Sequence, residues 1–158
     1  MRTLCTLLLL SVYTVASAQL EVVDTANEPK YETVGKIGPM GDLWVEIKKS
    51  DDNIKITYMD MKYQNIESYK EIKFMDVDGA YDKLYEIMLD GFYDMPNESK
   101  VIKLGDSIVL IEYTKVMGVV SVRFIHSVTD DGSVLGFSTW LTKRKLARLF
   151  GKKYKKRK

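Results

Sequence analysis

The ten cations at the C-terminus are the residues with the most specific chemistry. Lys143, Arg144, Lys145, Arg148, Lys152, Lys153, Lys155, Lys156, Arg157 and Lys158 fall in the last sixteen positions without an acid among them. At helical spacing the first four surround a stripe of Leu146, Leu149 and Phe150. A basic amphipathic segment of this kind attracts anionic surfaces, each Lys or Arg contributing about 1 kcal/mol near an anionic bilayer. The partners this chemistry admits are an anionic lipid, an acidic polysaccharide or a protein of the cell envelope. Nucleic acid is not expected, because only Tyr154 interleaves the basic run and the chain reads as exported. In the competing structural reading, the apolar stripe docks on the protein's own sheet. The cations then solubilise the terminus or meet acids of the body.

Those acids are plentiful. All 22 Asp and Glu residues lie between Glu21 and Asp131, a body with only 13 basic residues, so a net charge of +2 conceals a strongly dipolar chain. With so many carboxylates a glycosidase-like pair can always be imagined, but no spacing singles one out. His126 is the only histidine and Cys5 the only cysteine. Together they cannot make a zinc site. There is no Gly-x-Ser-x-Gly elbow, and Gly35, Gly38 and Gly41 have the wrong spacing for a phosphate loop. Asp76-Val77-Asp78-Gly79 begins like a calcium loop. Ala80, Tyr81 and Ile87 then stand where a third ligand, the glycine and the closing glutamate belong. A helix cap explains these acids better, with Asp78 as the N-cap. No cofactor or metal is expected. The function read from these residues is an exported, non-catalytic binding or envelope-accessory module. The alternative is a small hydrolase using Asp/Glu carboxylates or His126.

The elements that must position these residues read as an α+β fold. Alternating apolar residues predict strands over Leu43–Lys48, Ile54–Tyr63 and Tyr69–Met75. The period then changes. Tyr81, Leu84, Tyr85, Met88, Leu89 and Phe92 make one face of an amphipathic helix that ends before Pro96. Strands resume over Lys100–Leu104, Ser107–Lys115 and Val119–His126, with Gly105-Asp106 and Met117-Gly118 as hairpin links. A shorter strand is expected over Val134–Phe137. Thr142 then caps a helix over Lys143–Phe150 that stops at Gly151, with Leu141 and Leu146 as a hydrophobic staple. The expected architecture is one antiparallel sheet of about six strands, in the order β-β-β-α-β-β-β-α. One amphipathic helix crosses a face and a short basic helix closes the chain.

Residues 1–18 read as a signal peptide: Arg2, an apolar stretch from Leu4 to Val15, then Ala16-Ser17-Ala18 as the cleavage site. Its removal would take Cys5 with it, leaving a disulfide-free protein in the periplasm or outside the cell. Richness in Lys, Ile, Tyr, Asp and Met suits a bacterial source. Residues 19–42 read as an extended lead-in, 43–150 as a single domain and 151–158 as a flexible basic tail. No segment after the signal is long and apolar enough to span a bilayer.

Overall fold

The computed structural model describes residues 30–40, 42–63, 65–96, 98–128 and 132–154. The expected signal peptide lies outside the described residues. So do Asp130, Asp131 and the last four cations, Lys155, Lys156, Arg157 and Lys158.

Period-two alternation produces the strands and decides which side of each is buried. In β2 (Val45–Ser50) Val45 and Ile47 point inward. In β3 (Asn53–Met59) Ile54, Ile56 and Tyr58 do so, and in β4 (Tyr69–Met75) Ile72 and Phe74. These strands form an antiparallel meander whose outer edge is β1 (Glu32–Ile37). Six residues of the expected lead-in, Glu32–Ile37, are therefore a strand of the first sheet. Gly35 hides this in the sequence by interrupting the alternation, and the β1–β2 register shifts at that point. A Cβ on Gly35 would collide with the backbone of Arg148 and Leu149, so the glycine admits the C-terminal helix against β1.

Five further strands make a second sheet, so the single sheet expected from sequence is two, of four and five strands. β5 (Lys100–Leu104), β6 (Ser107–Val116), β7 (Val119–Ser127) and β8 (Leu135–Phe137) follow one another as antiparallel neighbours. β9 (Leu141–Thr142) pairs further along β7, Thr142 facing Ser121 and Leu141 facing Val122. The strand expected to run from Ile54 to Tyr63 stops at Met59, and Met61–Tyr63 form a single 3-10 turn.

Helix α1 (Ala80–Asp94) packs on β6 and β7. Helix α2 (Lys143–Leu149) packs on β1, β2, β7 and β9. The inward faces of both sheets and both helices share one core. Asp78 does not cap α1. It takes a left-handed conformation (φ 54°), and Gly79 occupies the N-cap position. The capping acid is Asp76, whose Oδ1 accepts the Tyr81 N–H at 2.9 Å while Oδ2 pairs with Lys49 Nζ at 2.9 Å. That hydrogen bond and the lysine hold the Asp76 carboxyl below its ordinary range.

Candidate functional site

Helix α2 has two sides with different fates. Thr142 caps it as expected, its Oγ1 accepting the Lys145 N–H at 3.4 Å, and Gly151 ends it with a φ of 63°. Leu146, Ala147, Leu149 and Phe150 are all buried, and Leu146 has no exposed surface at all. Phe150 packs against the rings of Tyr81 and Tyr85, with centroids at 5.1 and 5.3 Å. The apolar stripe read from the sequence is thus committed to the protein's own core.

The basic residues occupy the other side. Arg144 and Arg148 are exposed, Lys143 and Lys145 half-buried. Arg144, Lys145, Arg148 and Lys152 line an open groove of about 620 Å³, together with Thr142, Gly151 and Tyr154. Lys153 and Lys143 line a smaller neighbouring groove with Tyr85, Leu89, Tyr93 and Tyr154. The lysine ammonium groups lie over aromatic rings. Lys143 Nζ sits 4.1 Å from the centroid of Tyr93 and bonds its hydroxyl. Lys145 stands over Trp44 at 5.3 Å and Lys152 over Tyr85 at 5.9 Å. Such contacts orient an ammonium without neutralising it. Among the described residues one acid pairs with this face: Asp82, which accepts from Lys152 Nζ at 2.7 Å. Arg144, Lys145 and Arg148 have no acid within ion-pair distance there. Of the ten cations singled out in the sequence, the structure brings these four and Lys143 and Lys153 onto one face.

Sequence reading missed the aromatic partners. Tyr85, Leu89 and Tyr93 recur at i, i+4 and i+8, a helical row that signals the side of α1 facing α2. Trp44 and Asp82 carry no such signal.

His126 and the carboxylates are placed differently. His126 follows Val122 and Phe124 at period two on the inner side of β7, and is 5% exposed. Its Nδ1 lies 3.1 Å from the buried Tyr58 hydroxyl. Burial, with Lys70 nearby, lowers the His126 pKa, and burial raises that of Tyr58. His126 faces Gly136 across the β7–β8 pair, and a Cβ on Gly136 would collide with that hydroxyl. Next to this pair Asp60 is fully buried, its Oδ1 accepting the N–H groups of Lys62 and Phe137 at 3.1 Å each.

A second cleft, of about 470 Å³, lies between Met61-Lys62 and Phe137–Trp140, with Arg123 in its wall. The Arg123 guanidinium is fixed between the rings of Phe137 and Trp140, at 5.2 and 4.4 Å, and Nε donates to Glu112 at 2.6 Å. Neither His126 nor an Asp/Glu pair lines this cleft. No group of three or more His, Cys, Asp or Glu among the described residues could hold a metal ion. No described helix is long and apolar enough to cross a membrane.

Comparison with protein-family models, with curated proteins and with solved structures finds no match to this chain.

Proposed function

We propose that this protein is an exported binding or envelope-accessory module that works without catalysis and takes an anionic partner on the outer face of α2. One observation carries the reading. A helix whose apolar side belongs to the core holds Arg144, Lys145 and Arg148 outward, with no acid of the described chain opposite them. Like charges held together in water raise the energy of the folded state, and an anionic partner relieves that repulsion. The signal read in residues 1–18 supports a site of action outside the cytoplasm, in the periplasm or beyond, and the composition supports a bacterial one. In the sequence, Lys155, Lys156, Arg157 and Lys158 add to the same charge.

Binding of the full chain to dextran sulfate, with neutral dextran as control, tests the proposal. Affinity is expected to fall steeply as salt screens the cations. It should fall a further roughly tenfold or more in an Arg144→Glu/Arg148→Glu variant. Salt-insensitive binding, or equal binding by the variant, would contradict it.

A further inference from the structure

The two-residue turn between β6 and β7 does not suit open water. Met117 and Gly118 both have positive φ, 50° and 80°, the geometry of a tight hairpin turn that favours Asn or Asp at its first position. A methionine there is held in a backbone conformation that L-residues with apolar side chains rarely adopt. Its side chain is nevertheless fully presented to solvent, at 98% exposure, between Val116 at 61% and Val119 at 54%. The tip, Thr114 to Ser121, contains Lys115 and no acid.

Strand register fixes where this tip lies. Ser121 faces Thr142, the cap of α2, and stands two residues from Val119, or about 7 Å along a strand. The first turn of α2 therefore begins beside the base of the tip. Lys143 and the half-exposed ring of Tyr93 are together there, and Arg144 follows without an acidic partner among the described residues. A polyanion would engage the cations and leave the apolar tip in water. An anionic bilayer offers phosphates to the cations and an apolar layer to the tip at once, with tyrosine at home at the boundary.

We infer that the Val116–Val119 tip and the first turn of α2 together dock on an anionic bilayer, Met117 entering below the headgroups. This rests on the anionic-partner reading above and adds the lipid as its class. The test uses the full chain with Cys5→Ser and Met117→Cys, labelled with a polarity-sensitive fluorophore. A control carries the label at Asp106→Cys, in the turn at the other end of β6. On vesicles of phosphatidylglycerol and phosphatidylcholine the label at 117 should shift to the blue and be quenched by lipid-borne quenchers. The label at 106 should stay silent, and pure phosphatidylcholine should give no shift. Unlabelled Met117→Asp should bind these vesicles at least about tenfold more weakly, with dextran sulfate binding unchanged. Vesicle binding with a silent 117 label, as anchoring through residues 1–18 would give, overturns the inference. So does vesicle binding that Met117→Asp leaves intact. Dextran sulfate binding without vesicle binding overturns the bilayer and spares the anionic site. Binding to neither overturns both.

Discussion

Asp60 and Arg148 are both charged residues beside the same core, one in the link after β3 and the other in α2. The Asp60 carboxylate is taken wholly inside, where Oδ1 joins Lys62 and Phe137 by their backbone N–H groups and so ties the 3-10 turn to β8, while Oδ2 has no hydrogen-bond partner among the described residues. Tyr58, hydrogen-bonded to His126 beside it, fills the space that Gly136 leaves. Arg148 and Arg144 stand instead on the outside of α2, with no acid of the described chain within reach. Where polar groups find partners inside the chain, they connect the sheets. Where they do not, they are available to another molecule. The two regions should therefore respond to substitution in opposite ways.

The largest effect belongs to the inner side of α2. Leu146→Ala removes a side chain with no exposed surface and should cost about 2–5 kcal/mol, read as a fall in the urea midpoint. A loss within measurement error would mean that α2 is only loosely docked. Next comes the polar junction. Asp60→Ala strands two backbone N–H groups and should cost about 1–3 kcal/mol, whereas Asp60→Asn, which keeps an acceptor oxygen, should cost less. Equal losses would show that charge, not acceptance, is what Asp60 supplies.

A smaller effect is expected at the start of α1. Asp76→Ala deletes the acceptor for the Tyr81 N–H, at about 1 kcal/mol. The acid dependence has a definite sign. The folded-state pKa of Asp76 lies below its unfolded value of about 3.9, so its contribution is present above about pH 4 and fades as pH falls through the folded value. The stability difference between Asp76→Ala and the wild type should therefore shrink in acid. A difference constant from neutral to strongly acid solution would sink that account.

The α2 side of this contrast was legible in the sequence, and the Asp60 junction was not. The amphipathic periods of both helices, the Thr142 cap, the Gly151 stop and the Met117-Gly118 turn are local signals, and each matches the structure. Strands β5 to β8 of the second sheet were legible but the division into two sheets was not, because local periodicity does not show whether the strands before and after α1 pair with each other. The strand at Glu32–Ile37 was hidden by Gly35, whose role is to let α2 approach and not to alternate. Asp78 and Asp76 both looked like caps. The left-handed turn at Asp78-Gly79 gives the role to Asp76, and that turn depends on backbone conformation more than on residue type. The α2 face was visible as charge, but its aromatic supports on Trp44 and Tyr93 come from elements brought together only by folding.

The central claim is that the outward cations of α2 serve a partner and not the fold. Melting temperature and dextran sulfate affinity, measured on the same samples of the wild type and Arg144→Glu/Arg148→Glu, test it directly. Exposed substitutions away from packing and caps change stability by about 0.5 kcal/mol or less, so the melting temperature should hold while the affinity collapses. A variant that melts early yet binds as well as the wild type would contradict the account.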